Sequence, residues 1–183
     1  MGLDMFIYKI KRFENATLDD VNAVEGYLSL KRYNAEHPEK KYRMKKWCGR
    51  EKPSDKLIRF YSKFEKADKY GYSRIAEEVA YWRKANAIHQ WFVDNVQDGK
   101  DDCRVHRELT KSDLLKLRDL AHEVYTNQDL AEELLPTQSG FFFGSTSYDD
   151  WYIQDIINTI GQIDSILKTT DFNTEALYYV SSW

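Results

Sequence analysis

The chain has 183 residues, of which 42% are hydrophobic, 15% aromatic and 31% charged, and its formal net charge is −3. So many rings exclude a disordered chain, and two cysteines, Cys48 and Cys103, are too few for a disulfide framework or a four-thiolate zinc site. No apolar run approaches the ~20 residues of a membrane span, and the first residues lack the basic and apolar regions of a signal peptide. We therefore expect a cytoplasmic protein with reduced thiols and no membrane contact.

The first half of the chain changes several times between strand-like and helix-like patterns. In chain order we predict a strand over 3–10, a capped helix over about 18–31, loop with at most short structure over 34–55, a short strand or helical turn over 56–64, and a helix over about 74–97.

The second half continues this alternation. We predict a strand over 103–108, a helix over about 111–126, a short helix over 128–134, a strand at 141–143, a helix over about 148–168, and a closing strand over 177–183. Strands at both ends and between helices predict an α+β fold, with a mainly antiparallel sheet of about four strands and helices packed against it. We expect one domain over 1–183, with a basic, aromatic-rich insertion at about 34–73.

Charge is distributed unevenly along the chain. Segment 40–74 holds 13 basic residues against four acidic ones, and seven aromatic side chains lie between them. Clustered cations release counterions from a phosphate backbone, and exposed rings stack on unpaired bases. The segment therefore predicts a surface for single-stranded RNA. The alternative is a solvated basic face whose rings belong to the core. The candidate nucleic-acid contacts are Lys41, Arg43, Lys45, Lys46, Trp47, Arg50, Lys52 and Arg59.

A second candidate site comes from the predicted 74–97 helix. Its apolar stripe, spaced in steps of four and three residues, includes the polar residues Asn86 and His89. Glu78, eleven residues before His89, would project within ~20° of the same direction. A histidine, a carboxylate and a cation in one pocket could perform acid–base cleavage of a phosphodiester without a metal. The candidate catalytic residues are Glu78, Tyr81, Arg83, Asn86 and His89. The alternative is a core histidine in a hydrogen-bond network.

Other catalytic motifs are missing from the sequence. There is no His-Glu-x-x-His, Cys-x-x-Cys, phosphate-binding glycine loop or Gly-x-Ser-x-Gly pattern, which argues against zinc hydrolases, nucleotide-hydrolysing P-loop proteins, dinucleotide-binding enzymes and α/β-hydrolases. Asp149 and Asp150 lie at the start of the predicted 148–168 helix. We interpret them as helix caps or the rim of a pocket, and no spacing indicates a metal site. We expect no cofactor.

Several segments resemble proteins of one origin. These are Met1-Gly2-Leu3-Asp4-Met5, the run Glu78-Val79-Ala80-Tyr81-Trp82-Arg83-Lys84-Ala85-Asn86-Ala87-Ile88-His89, residues 135–145, and the final Tyr178-Tyr179-Val180-Ser181-Ser182-Trp183. The chain is similar in these segments to small proteins from phages and prophages of Gram-positive bacteria. The resemblance covers both ends and the middle, while 11–73 matches least.

The resemblance implies an origin more than a reaction. Phage accessory proteins of this size are often counter-defence factors that act in the host cytoplasm. The chain looks similar to an anti-CRISPR that acts on the Cas9–guide RNA complex, by trimming the guide RNA if it acts as a ribonuclease. The alternatives are a non-enzymatic protein that blocks a host defence or regulatory protein, and a small-molecule enzyme built on the same helix.

Overall fold

A computed structural model describes residues 2–183, apart from the side chain of Trp47, and has the predicted α+β fold. The strands are β1 (Asp4–Lys11), β2 (Lys66–Ala67), β3 (Ser73–Arg74), β4 (Glu77–Arg83), β5 (Arg107–Leu109) and β6 (Glu175–Ser182). The α-helices are α1 (Leu18–Glu36), α2 (Met44–Cys48), α3 (Asp55–Tyr61), α4 (Asn86–Val96), α5 (Lys111–Thr126), α6 (Ala131–Leu134) and α7 (Asp150–Thr169). Short 3-10 turns lie at Ser62–Phe64 and Gln128–Leu130.

The contacts within the chain group into two compact units. One contains Met1–Lys9 and Glu78–Trp183, and we call it the sheet unit. The other contains Ile10–Glu77, and we call it the basic unit. The insertion predicted at 34–73 lies within the basic unit, which also takes in all of α1.

A four-stranded antiparallel sheet organises the sheet unit, with the strand order β4-β1-β6-β5. Leu3, Met5 and Ile7 are fully buried, as the period of two expected of a strand requires. The inner strand β6 is buried over five consecutive residues, Glu175–Tyr179, so both of its faces are covered. Its partner β5 pairs antiparallel with it, and Leu109 lies opposite Leu177.

Helices α5 and α7 pack against each other in the core of this unit. Buried Leu114 and Leu117 of α5 and buried Ile156 and Ile163 of α7 share this core. The indole N–H of Trp82 in β4 donates a buried 2.9 Å hydrogen bond to Thr159 in α7. No helix within residues 2–183 combines the length and apolar character that crossing a membrane would require.

The predicted helix over 74–97 is wrong in its first half. Residues 77–83 form β4, whose alternating burial places Ala80 and Trp82 inside, and only α4 is helical. The step of four residues from Ile75 to Val79 fits a helix and a strand alike, whereas the step of three from Val79 to Trp82 fits only a helix. Pairing of β4 with β1 in the sheet decides the outcome, because those hydrogen bonds come from residues remote in the sequence.

One of the shorter predictions is wrong, and another is decided in favour of its helical alternative. The three phenylalanines at 141–143 form a turn instead of a strand, and Phe141 is 95% exposed. Segment 56–64 is helical, because Ser54 caps α3 by accepting the N–H of Leu57. Thr17 with Asp20 and Thr110 with Asp113 have the spacing that predicts a capping box, and both boxes are confirmed at the starts of α1 and α5.

Candidate functional site

The sheet unit contains a cleft of about 510 Å³, which we call the α4–α7 cleft. It lies beside the first turn of α4 and the first turns of α7, and residues of the 137–149 loop line another side. Its floor is apolar and includes the buried side chains of Ile88 and Ile156. Its charged lining residues are Arg83, Lys84, Asp149 and Asp155. This is the size range of a small-molecule site, which is about 300–1,000 Å³.

The turn between β4 and α4 places two cations beside this cleft. Arg83 ends β4, and Lys84 follows it with a positive φ of 60°, a left-handed conformation uncommon for a residue with a side chain. The Lys84 N–H donates to the Leu3 carbonyl, and the Lys84 carbonyl accepts the N–H of Asn86 at 2.9 Å. These bonds compensate the backbone strain and end the strand where the helix must begin.

Asn86 holds the wall of the cleft in place. Its amide nitrogen donates to the carbonyls of Phe143, at 3.1 Å, and Ser145, at 2.7 Å, while its amide oxygen accepts the N–H of Gln138 at 2.9 Å. The side chain is buried, so these bonds satisfy both ends of the amide. Asn86, predicted as catalytic, therefore acts as the anchor of the loop.

The first turn of α4 differs from those of α1, α5 and α7. Those three helices have a side chain that accepts a hydrogen bond from the first turn, whereas Ala85 at the N-cap of α4 has none to offer. Among the described contacts, the N–H groups of Ala87 and Ile88 have no acceptor, and both residues line the cleft. Such N–H groups, with the positive end of the helix dipole, favour an anion nearby.

Two carboxylates of α7 face the same cleft and differ in their surroundings. Asp149 is the N-cap of the helix and accepts the N–H groups of Trp151 and Tyr152. Burial, followed by the charge of Asp149, raises the pKa of Asp155 from 3.8 to about 6. Asp155 can therefore gain or lose a proton near neutral pH, as a general acid or base must. The indole of Trp151, also in the cleft lining, is 79% exposed.

His89 lies in the core and not in this cleft. Its side chain is completely buried on α4, with Nδ1 2.7 Å from the Tyr179 hydroxyl. Nε2 lies 3.1 Å from the Asp101 carboxylate, within ion-pair distance but without hydrogen-bond geometry. Burial raises the pKa of Tyr179 well above its usual value, so its hydroxyl keeps its proton. The geometry matches the alternative interpretation, a core histidine within a polar network.

The remaining predicted catalytic residues do not gather around His89. Glu78 is exposed on β4, so the shared helix face that joined it to His89 does not exist. Tyr81 donates its hydroxyl proton to Asp4 at 2.5 Å, and this bond raises the pKa of Tyr81. Of the five predicted residues, the structure brings Arg83 and Asn86 to the cleft. Sequence reasoning missed Asp155, whose role depends on burial that no local pattern indicates.

In the basic unit, the predicted nucleic-acid contacts form an accessible cationic set. Six of them are exposed and Arg50 is half-buried, while the side chain of Trp47 lies outside the part that the structure describes. Lys45, Arg50 and Lys52 form ion pairs with Glu51, Asp19 and Asp55, respectively. Within residues 2–183, Lys41, Arg43 and Arg59 form no ion pair with any described side chain.

A short hairpin supplies aromatic surface that the predicted contact set omitted. Strands β2 and β3 pair antiparallel, and Asp68 holds the turn between them by accepting the N–H groups of Tyr70 and Tyr72. These tyrosines are 73% and 48% exposed, and the Lys69 ammonium lies 4.9 Å from the centre of the Tyr70 ring. The glycine at position 71 was the sequence signal for this turn, because Gly71 adopts a positive φ of 81° there.

The same hairpin borders a second, smaller cavity of about 290 Å³ in the basic unit. Tyr72, Arg74 and Arg50 line one part of it, and residues of α1 and Cys48 line the rest. Arg74 is paired with Asp68 at 3.1 Å. The cavity therefore places a ring beside two guanidinium groups, which are the groups that stack on bases and bind phosphates.

Comparisons of the chain with protein-family models, with curated proteins and with solved structures found no match. Within the described residues, no group of three or more histidine, cysteine, aspartate or glutamate side chains could hold a metal ion. The assignment of a function therefore depends on the geometry of the cleft and of the basic unit.

Replacing Tyr179 by Phe tests the structural role of His89. We expect Tyr179→Phe to lower the free energy of unfolding by about 1–3 kcal/mol, because Nδ1 of a fully buried histidine would lose its partner. Urea unfolding followed by circular dichroism measures the change. Tyr125→Phe, at a 52% exposed tyrosine, is the matched control and should have little effect. Equal stabilities of the two variants would contradict the network.

The ionisation of Asp155 predicts a pH-dependent gain of stability in Asp155→Asn. Because the folded-state pKa of about 6 lies above 3.8, the folded protein binds this proton more tightly than the unfolded chain. The stability that the proton contributes is present below about pH 4 and is lost as the pH rises through 6. Asp155→Asn should therefore melt above the native protein at pH 8, with the difference shrinking toward pH 4.

Thermal unfolding at a series of pH values checks this prediction. Glu132→Gln, which removes an exposed carboxylate of α6, provides the control and should follow the pH profile of the native protein. Parallel profiles for Asp155→Asn and the native protein would show that Asp155 titrates normally.

Proposed function

We propose that the protein binds single-stranded RNA through the cationic and aromatic surface of the basic unit. The observation that carries the proposal is the β2–β3 hairpin, which holds two exposed tyrosines beside Lys69. Single-stranded RNA offers unstacked bases and closely spaced phosphates, and this combination of rings and cations suits both.

The charge of the surrounding segment supports the same ligand. Segment 40–74 contains thirteen basic residues and four acidic ones. Lys45 and Lys52, which form ion pairs in this segment, are exposed at the surface. Exposed ion pairs contribute only ~0–1 kcal/mol each, so a phosphate can replace a carboxylate at little cost. Lys41 and Arg43 need no such exchange, because no described carboxylate pairs with them, and Arg59 interacts with Asp55 without forming an ion pair.

In the counter-defence setting that the sequence resemblance implies, the ligand would be the guide RNA of a Cas9–guide RNA complex in the host cytoplasm. The proposal is for binding and does not include cleavage by His89, whose side chain is fully buried. A protein surface as the partner is the alternative outcome, and it requires no affinity for free RNA.

Salt dependence is the first test of RNA binding. Fluorescence anisotropy with a labelled, unstructured oligouridine should give a logarithmic affinity that falls linearly with the logarithm of salt concentration, by about 0.7 for each phosphate neutralised. Removing Lys41, Arg43 and Arg59 together by alanine substitution should reduce that slope by about two. Lys111→Ala with Lys116→Ala, two exposed lysines of the sheet unit, is the control. Absence of binding at low salt would exclude the proposal.

The hairpin is tested separately. Tyr70→Ala should weaken RNA binding by about 5- to 150-fold, since stacking on an aromatic ring contributes ~1–3 kcal/mol per base, whereas Tyr70→Phe should retain most of the affinity. Tyr125→Ala removes an exposed tyrosine of the sheet unit and should bind as the native protein does. Equal affinities of Tyr70→Ala and Tyr125→Ala would exclude stacking on the hairpin.

A further inference from the structure

The α4–α7 cleft in the sheet unit suits a ligand different from the one proposed for the basic unit. We infer that it binds a nucleoside monophosphate, with the phosphate at Arg83, Lys84 and the start of α4, and the base against Trp151. This inference goes beyond RNA binding, because it concerns a small molecule and a different unit of the chain. It rests on the volume of the cleft, the positions of its charges and one exposed ring.

The volume and the floor set the size of the ligand. About 510 Å³ exceeds what an inorganic ion fills and suits a molecule of nucleotide size. Ile88 and Ile156 form a buried apolar floor, so part of the ligand must be a flat or apolar group. A sugar phosphate without a base would leave that floor exposed to water.

The cationic side of the cleft recognises the phosphate. Arg83 can donate two parallel hydrogen bonds to phosphate oxygens, and Lys84 adds a second positive charge. The N–H groups of Ala87 and Ile88 lie in the same lining without a described acceptor. The left-handed backbone of Lys84 sets the direction of the chain between the two cationic side chains and the N–H groups of α4.

The part of the lining that α7 contributes recognises the nucleoside. Trp151 presents its indole for stacking, and it is held at the first turn of α7 by its backbone bond to Asp149. Asp155 is partly buried within the lining and can accept hydrogen bonds from a ribose hydroxyl or a base amino group.

The charges of the cleft also explain why a bare anion is a poorer ligand. Arg83, Lys84, Asp149 and Asp155 belong to one lining, so the ionised cleft has no net charge from these four side chains. Inorganic phosphate gains from the cations and is repelled by the carboxylates. A nucleotide carries its phosphate at one end and hydrogen-bond donors at the other, so it satisfies both sides. Ligand donors favour ionised Asp155, so the affinity should fall as the pH drops below about 6.

Calorimetric titration with AMP, GMP, CMP and UMP tests the inference, with adenosine and inorganic phosphate as separate arms. At least one nucleotide should bind and change tryptophan fluorescence, while adenosine and phosphate should bind at least tenfold more weakly. Phosphate binding as tightly as every nucleotide would overturn the base contact, and adenosine binding as tightly as AMP would overturn the phosphate contact. No heat with any nucleotide would overturn the inference as a whole.

Substitutions place the binding in the cleft. Arg83→Ala and Trp151→Ala should each weaken nucleotide binding at least tenfold, whereas Trp151→Phe should lose less and Lys116→Ala should lose nothing. Melting temperatures of the variants separate lost binding from lost folding. Native affinity in folded Arg83→Ala and Trp151→Ala would overturn the location.

The Lys41, Arg43 and Arg59 alanine variant separates this inference from the proposed function. It should bind nucleotides normally while losing RNA affinity. Unchanged RNA affinity with nucleotide binding intact would refute only the proposed function, whereas loss of nucleotide binding in this variant would overturn the inference.

Discussion

Three hydrogen bonds from the buried side chain of Asn86 hold the 137–149 loop against α4, and the shape of the α4–α7 cleft depends on them. The loop has no regular secondary structure, and its other hydrogen bonds include those from the Thr137 hydroxyl to the Thr146 carbonyl, from the Phe143 N–H to the Gly140 carbonyl and from the Leu3 N–H to the Phe142 carbonyl. Asn86 can reach it only because the chain turns sharply at Lys84, whose left-handed backbone joins β4 directly to α4. This turn thus positions the two cations and the first turn of α4, where the N–H groups of Ala87 and Ile88 have no described acceptor.

The polar residues of α4 therefore divide into two structural roles. Asn86 is buried beside the cleft and satisfies backbone groups of the loop, while His89, one turn later, joins Tyr179 and Asp101 inside the unit. Both roles follow from the cost of an unpaired buried polar group. Asp155 in the cleft differs from both, because burial and then the charge of Asp149 raise its pKa to about 6.

The uneven charge of the sequence corresponds to the two units of the structure. The basic unit carries the cations of 40–74 at its surface and adds exposed rings on the β2–β3 hairpin, whereas the sheet unit contains the acidic later part of the chain. Polyanion binding and small-molecule binding make different demands, since one needs an extended cationic surface and the other an enclosed lining. The two proposals assign one of these demands to each unit.

Local signals in the sequence determined the α+β class, the terminal strands, the capping boxes at Thr17 and Thr110, and the exposed charge of 40–74. These features depend on neighbouring residues or on composition, so short-range patterns suffice. Tertiary structure alone decided that 77–83 pairs with β1 as a strand, that the Phe141 segment turns into solvent, and that His89 is enclosed while Asp155 reaches the cleft. Those outcomes depend on hydrogen bonds and burial that residues remote in the chain supply. A local sequence pattern contains no information about such contacts.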